Sequence, residues 1–236
     1  MMMLNVSDEQ QALFDQAQHI VFLTGAGVST ASGIPDYRSK GGIYGDSKVV
    51  ERPEYLLSTD ALRDEPLKMY QFMKENMYFP DAKPNIIHQK MAALAQSGRA
   101  KIITQNVDGL HKLPADQLIE FHGSLYNIYA VTDRQPATVA EYLESPYRED
   151  GVLLRPAITL YGEIPFRTDE AVTWMAQADL IVIVGTSFVV YPFAGLLDYA
   201  QVGTPIMSVN LTTIDAPSHV MQITGDATQF FNDLTV

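Results

Sequence analysis

The chain has 236 residues, 47% of them apolar and 19% charged, which suits a soluble globular protein with one large domain or a domain carrying an insertion. Acidic residues outnumber basic ones 28 to 16, for a net charge of −12; with no basic stripe to release phosphate counterions, nucleic acid is disfavoured as a partner. There is no cysteine, which excludes disulfides, thiolate catalysis and thiolate zinc sites.

The opening MMMLNVSDEQ is acidic and lacks a signal-peptide core, and no apolar run reaches the roughly 18–20 residues of a membrane helix, so a cytoplasmic protein with no membrane partner is expected. Ser7-Asp8-Glu9-Gln10 reads as a capping box for a helix to about Gln18. Ile20-Val21-Phe22-Leu23 follows as a buried strand and runs into Thr24-Gly25-Ala26-Gly27. A strand that ends in small residues and turns into a helix is a phosphate-binding device: backbone N–H groups reach a pyrophosphate, and the helix N-terminus favours its charge. The usual dinucleotide fingerprint wants a third glycine where Thr30 stands. It also wants an acidic ribose-binding residue about twenty residues on, where Gly41, Gly42 and Gly45 read as loop. The reading is a Rossmann-type nucleotide site that does not transfer hydride.

Pro53, Pro66, Pro80 and Pro84 punctuate the next segment, with helical spacing over residues 67–77. Asn85 is placed to cap a helix over residues 86–97, closed by Gly98. Apolar runs then share one format. Residues 101–104 lead into Gln105-Asn106-Val107-Asp108-Gly109, and 118–121 into His122-Gly123-Ser124. Residues 180–184 lead into Gly185-Thr186-Ser187, 205–209 into Asn210, and 220–223 into Thr224-Gly225-Asp226. Such runs fit a parallel sheet covered on both faces, and their polar ends lie on the edge where open α/β sheets bind ligands. The expected fold is α/β: a Rossmann-type parallel sheet with a smaller lobe built from two insertions. Residues 1–38, 85–123 and 157–236 form the large domain; residues 39–84 and 124–156 form the lobe.

GAGVSTASGIPDYRS, TQNVDGLH, FHGS, LLRPAITLYGE, GTSFVVYP, VN and GDA occur in this order. Together they resemble the sirtuins, NAD-dependent protein-lysine deacylases, over nearly the whole chain. The resemblance implies that NAD, consumed as co-substrate, and an acylated lysine enter a cleft between domain and lobe. It implies His122 as catalytic base, a task that suits imidazole near neutral pH. Asn106 and Asp108 would stand near nicotinamide, with Asp108 on the carboxamide and Gln105 facing the ribose; Val107 between them is expected in the core. Gly25, Ala26, Gly27, Ser29, Asp36, Tyr37 and Arg38 fall in the cofactor motif. Tyr37 would shield the reactive ribose carbon, and Arg38 would touch phosphate or ribose. Gly185, Thr186 and Ser187 would offer hydroxyls and N–H groups to phosphate; Asn210 and Ala227 would bind adenosine. Residues 158–163, namely Ile158, Thr159, Leu160, Tyr161, Gly162 and Glu163, look like a substrate strand beside which an acylated peptide adds through main-chain hydrogen bonds. The same scaffold leaves ADP-ribosyl transfer, NAD hydrolysis or a non-catalytic NAD or ADP-ribose sensor as alternatives. The protein is expected to act as a monomer.

The chain also departs from the family. Most sirtuins hold a structural zinc with two Cys-x-x-Cys pairs. Here the matching places are Ala130-Val131-Thr132-Asp133 and Tyr147-Arg148-Glu149-Asp150, so no zinc is expected. The lobe must then hold by packing, with Tyr126, Ile128, Tyr129, Val131, Tyr142, Leu143, Tyr147 and Leu153 as candidates. Family members that prefer anionic acyl chains use a Tyr-x-x-Arg pair; the match is Tyr70 with Met73 in the arginine's place, which favours apolar acyl groups.

Overall fold

The computed structural model describes residues 5–37, 42–43 and 53–236. Ser7 caps α1 (Asp8–Gln16): its hydroxyl accepts from the Gln10 N–H, and the Gln10 side chain accepts from the Ser7 N–H. The helix stops two residues before the expected end, and the Asp179 carboxylate accepts the N–H groups of Gln18 and His19 instead. Then come β1 (Ile20–Thr24), α2 (Pro53–Leu56), α3 (Thr59–Asp64), α4 (Pro66–Asn76) and α5 (Ile86–Gln96), the last capped by Asn85. They are followed by β2 (Ala100–Thr104), β3 (Leu118–Glu120), β4 (Gly123–Ala130), β5 (Pro136–Ala137), α6 (Val139–Glu144) and β6 (Leu154–Ile158). The chain continues with α7 (Thr168–Gln177), β7 (Leu180–Val184), β8 (Ile206–Asn210), β9 (Met221–Thr224) and α8 (Ala227–Asp233).

Six strands make one parallel sheet in the order β3-β2-β1-β7-β8-β9. The chain winds outward from β1 to β3, returns to β7 beside β1, and winds outward again to β9. The direction reverses between β1 and β7, and a crevice opens at such a switch point, outside the carboxyl ends of the strands. Both faces are covered, which is why β1 and β7 are apolar or buried at every position. Phe22 and Val182 pack against Phe14, Ile87, Met91, Phe230 and Phe231 on one face. Val21, Leu23, Ile181 and Ile183 pack against Trp174, Met175, Phe193 and Leu196 on the other.

A second, antiparallel sheet has the order β5-β4-β6. Ile128, Ala130, Tyr142 and Leu154 are buried there, with Tyr70 and Tyr78 from outside the sheet packed on them. Tyr70 meets Tyr142 edge to face at 5.2 Å between ring centroids. Three residues expected in this core, Tyr126, Val131 and Tyr147, stand exposed instead. The register shift of β4 between Ser124 and Ile128 turns Tyr126 outward, so simple alternation misplaces it. The expected substrate strand over residues 158–163 also does not form: β6 ends at Ile158, and beyond it Tyr161 makes a single parallel bridge to Ser58. The reason is local. The Leu160 N–H donates to Glu163 Oε2, the Glu163 N–H returns to the Leu160 carbonyl, and Gly162 turns the chain at φ +98°.

Candidate functional site

Two turns interlock at the switch point. The Gly25 N–H donates to the Val184 carbonyl at 3.1 Å, and the Gly27 N–H to the Gly185 carbonyl at 2.7 Å. A Cβ on Gly27 would lie 2.7 Å from Gly185 Cα, and one on Gly185, where φ is +61°, would lie 2.5 Å from the Val28 nitrogen. The glycines are therefore required by the close approach of two backbones, beside a space left for a ligand. The turn continues as two three-residue 3-10 segments, Ala26–Val28 and Thr30–Ser32, not as the helix expected from the sequence. The helix-dipole part of the phosphate argument therefore does not apply; the backbone N–H groups of a tight turn remain.

A cavity of about 1040 Å³ opens over these turns. Gly25, Ala26, Gly27, Asp36, Tyr37, Gln105, Asn106, His122, Gly185, Thr186, Ser187, Asn210 and Ala227 line it, as do Ile158, Leu160, Tyr161, Gly162 and Glu163. Arg38 lies outside the described residues. At one end the Thr186 N–H donates to Asn210 Oδ1 at 2.8 Å, and Gln105 Nε2 donates to the Thr186 hydroxyl at 2.9 Å. The buried Asn210 Nδ2 has no protein acceptor among the described residues, a donor placed for a polar ligand. An adenosine fits that requirement.

At the other end His122 follows β3, half-buried against the rings of Phe121 and Phe193. Burial pulls its imidazole down to about 4, against a main-chain hydrogen bond with Gln105 that favours the charged ring. The ring is thus a neutral base near pH 7. Asn106 is buried beside it on the cavity wall: its N–H donates to the Thr104 hydroxyl at 3.0 Å and its Nδ2 to Ser29 Oγ at 3.1 Å. The Ser29 hydroxyl donates onward to Asp108 Oδ2 at 2.6 Å, and Asp108 Oδ1 accepts the Leu110 N–H at 2.9 Å. Asp108 and Ser29 are not among the lining residues. Each carboxylate oxygen accepts one protein hydrogen bond, and through Ser29 Asp108 also braces Asn106. Burial, followed by the charge of Asp108, pushes the Tyr37 hydroxyl well above the ordinary range, so it stays protonated.

Tyr70, Met73 and Glu163 also differ from expectation. Tyr70 and Met73 do not reach the cavity: the Tyr70 hydroxyl donates to the Leu143 carbonyl at 3.0 Å, and Met73 is buried with its sulfur 3.7 Å from the Tyr142 hydroxyl. Val107 packs against the hydrophobic cluster of the lobe, as expected, and also lines the cavity with Leu57 and Met77. Those last two come from segments whose apolar spacing looks like any helix face, so nothing local in the sequence marks them. Glu163 lines the cavity, but its carboxylate is held by Arg155 at 2.8 and 3.0 Å and serves as a buckle for the turn.

The places where a zinc site would sit do not fit a metal. Arg148 donates to Asp133 Oδ2 and Asp150 Oδ2, each at 2.7 Å, and clasps the two segments together. Among the described residues no group of three or more His, Cys, Asp or Glu is arranged to hold an ion.

A glycine-lined turn at a switch point, an unpartnered amide at one end of the cavity and a neutral histidine at the other define a dinucleotide-using enzyme with a general base. The model of the Sir2 family matches residues 25–192. The chain is 48% identical over 230 residues to an NAD-dependent protein deacetylase of Lactiplantibacillus plantarum, covering 96% of this chain and 97% of that one. It is 47% identical over 223 residues to one of Enterococcus faecalis, covering 93% and 92%. A Sir2 structure with a deacetylated p53 peptide and 3'-O-acetyl ADP-ribose superimposes with a TM-score of 0.86 at 32% identity, covering 95% of each chain. One with p53 peptide and NAD+ gives 0.82 at 32%, covering 95% of each. The chain belongs to the Sir2 family.

Proposed function

We propose that this protein is an NAD-dependent protein-lysine deacylase. The observation that supports it most is the pairing, in one cavity, of neutral His122 with the interlocked Gly25–Gly27 and Gly185 turns. NAD supplies a nicotinamide leaving group and a ribose that takes up the acyl group. The protein's residues do the rest. The turns and Asn210 hold the dinucleotide, Asn106 fixes its nicotinamide end, Tyr37 closes the wall, and residues 158–163 bind the acylated lysine. His122, uncharged, accepts the proton of a hydroxyl placed against it. Water exclusion by Tyr37, Val107 and Leu160 favours transfer to the ribose over hydrolysis. The reading includes a division into a large domain (residues 1–38, 85–123 and 157–236) and a small lobe. It also includes a cytoplasmic monomer whose partners are acylated proteins or peptides; no described helix is long and apolar enough to cross a membrane. Incubation with NAD and acetyl-lysine peptide yields nicotinamide and O-acetyl-ADP-ribose, seen by mass spectrometry. ADP-ribose alone, or ADP-ribosylated protein, would select the hydrolase or transferase alternative.

Acyl choice follows from charge. Asp36, Glu163, Asp215 and Asp226 line the cavity, and no Lys or Arg does so among the described residues. A succinyl carboxylate finds no cation there among the described residues, while Leu57, Met77 and Val107 suit an apolar chain. The expected kcat/KM for succinyl-lysine is at least roughly 10-fold below that for acetyl-lysine. Equal turnover of the two peptides contradicts this.

The lobe is read as metal-free, with Arg148 joining the segments that zinc would join. Incubation with a chelator leaves Tm unchanged. Arg148→Met lowers Tm by about 2–4 °C, and the difference shrinks in high salt, because the pair is exposed and screened. A chelator-induced drop in Tm refutes the metal-free reading.

A further inference from the structure

Arg155 does not line the cavity, yet it holds together the loop that does. It stands on β6 opposite Tyr129 of β4, with 8% of its side chain exposed. Its guanidinium spans both ends of the loop at residues 158–163. At the entry, Nη2 donates to the Ile158 carbonyl at 2.7 Å. At the exit, Nη1 and Nη2 donate to Glu163 Oε1 and Oε2 at 2.8 and 3.0 Å, the two-pronged pairing that suits a planar guanidinium and a carboxylate. Nε donates to the Pro156 carbonyl at 3.3 Å and fixes the plane of the fork. Glu163 passes the constraint on. Its Oε2 accepts the Leu160 N–H at 2.8 Å, and its own N–H donates to the Leu160 carbonyl at 2.9 Å, so Glu163 sets both main-chain groups of Leu160. The middle of the loop is pinned from the other side: the Tyr161 N–H donates to the Leu57 carbonyl at 2.8 Å, and the Thr59 N–H to the Tyr161 carbonyl at 3.0 Å. Every residue from 158 to 163 lines the cavity.

We propose that Arg155, acting through Glu163, is a positioning residue for the acylated peptide: the pair sets the main chain of residues 158–163 in the shape the substrate meets. The carboxylate is charged in this role. Burial works against its charge, but the hydrogen bonds from Arg155 and the Leu160 N–H outweigh it and hold the Glu163 carboxyl below the ordinary range. The buckle is in turn seated on the small lobe. The Tyr129 ring centroid lies 5.8 Å from the Arg155 guanidinium and 4.4 Å from that of Arg134, both within cation–π range. Loss of the buckle lets the two ends of the loop part while Tyr161 stays tethered to residues 57–59. The effect falls on one ligand. The turns at Gly25–Gly27 and Gly185, with Thr186 and Asn210, make their hydrogen bonds among themselves and with Val184 and Gln105, and none with Arg155 or Glu163. The dinucleotide end therefore keeps its geometry when the peptide end loosens.

The kinetic consequence rests on the deacylase reading and the geometric one does not, so the two are measured separately. Amide hydrogen exchange, followed by NMR on the full chain without NAD or peptide, reads the Leu160 N–H. Arg155→Lys keeps the charge and loses the fork; Glu163→Gln keeps the shape and loses the charge. In each, Leu160 exchanges at least roughly 10-fold faster than in the parent. In steady-state kinetics each raises KM for the acetyl-peptide roughly 10-fold, leaves KM for NAD unchanged and keeps kcat within a few-fold. The double variant is no worse than the more impaired single one, because both substitutions open one contact. Losses that multiply in the double variant would show that Glu163 touches the peptide independently of Arg155, and overturn the positioning role. So would a KM for NAD that rises in step with that for the peptide, or an Arg155→Lys variant that loses only Tm and keeps parental kinetics. If Arg155→Lys does not fold, Glu163→Gln decides, its side chain being 32% exposed in the parent. Faster Leu160 exchange together with a raised peptide KM supports the role, and either one without the other overturns it. A parent chain that forms no O-acetyl-ADP-ribose from any acetyl-peptide refutes the deacylase reading instead, while Leu160 exchange still tests the buckle.

Discussion

His122→Ala removes deacylation, with kcat falling about 10²- to 10⁴-fold, the usual worth of a positioned general base. NAD binding, measured by calorimetry, changes little. The split follows from where the ring sits. His122 closes one end of the cavity, held by the packing of Phe121 and Phe193 and by its own main chain, whose carbonyl accepts the Thr159 N–H at 2.8 Å. The groups proposed to grip the dinucleotide are elsewhere: the Gly25–Gly27 turn bonds to Val184 and Gly185, and Thr186 to Asn210 and Gln105, with no bond from these turns to the His122 ring. Truncating the imidazole removes the proton acceptor and leaves those contacts in place. Burial already keeps the ring neutral, pulled down to about 4, so the enzyme does not need to deprotonate it near pH 7. Alanine leaves nothing of similar basicity on that wall; Asp36, Glu163, Asp215 and Asp226 line the same cavity but stand on other segments. Deacylation at the parental rate in His122→Ala removes the assignment of the base. Loss of NAD binding in parallel would mean that the ring holds the dinucleotide.

The inner strands β1, β2, β7 and β8 were legible because they are buried on both faces and must be apolar at nearly every position. The polar residues that end them were legible because they gather on one edge of the sheet: residues 180–184 run into Gly185-Thr186-Ser187, all three of which line the cavity. What the sequence hides depends on partners distant along the chain. The Arg155–Glu163 buckle turns an apparent strand into a loop, and no periodicity reports a salt bridge across a turn. Ser29 looks like one small residue of a glycine-rich motif, yet its hydroxyl links Asn106 to Asp108. Tyr70 and Met73 show a family-like spacing on α4, but the face they share looks into the core beside Tyr142. Leu57 and Met77 are site residues whose only sequence signal is apolarity. Arg148 reads as a surface arginine until two aspartates from different segments are seen against it.

Gly123→Ala is expected to cost more than any other glycine substitution near the site, and to take His122 with it. Gly123 has φ +80°, so any side chain there is strained, by about 1 kcal/mol. The larger effect is space. A Cβ would lie 1.9 Å from the Ala157 carbonyl oxygen and 2.7 Å from the Phe166 ring. The ring can turn aside, but the carbonyl belongs to β6, which pairs with β4 at Ser124↔Ala157 and Gly123↔Ile158. Relief therefore requires the start of β4 to separate from the end of β6, and overpacking of this kind adds roughly 1–3 kcal/mol. A total near 3 kcal/mol corresponds to a drop of roughly 6–12 °C in Tm for a chain of this size. Gly203→Ala separates the two contributions, since Gly203 also has positive φ, at +89°, but nothing within 4 Å of a Cβ. That variant loses only the conformational part, about 2–4 °C, and keeps full activity. The displacement in Gly123→Ala reaches the chemistry, because His122 is the preceding residue and its carbonyl is tied to Thr159 at the same junction. Activity should fall at temperatures where the variant is still folded, with kcat more affected than KM for NAD. Equal losses of Tm for the two alanine variants would show that the junction opens freely, and that the close approach of β4 and β6 does not set where His122 stands.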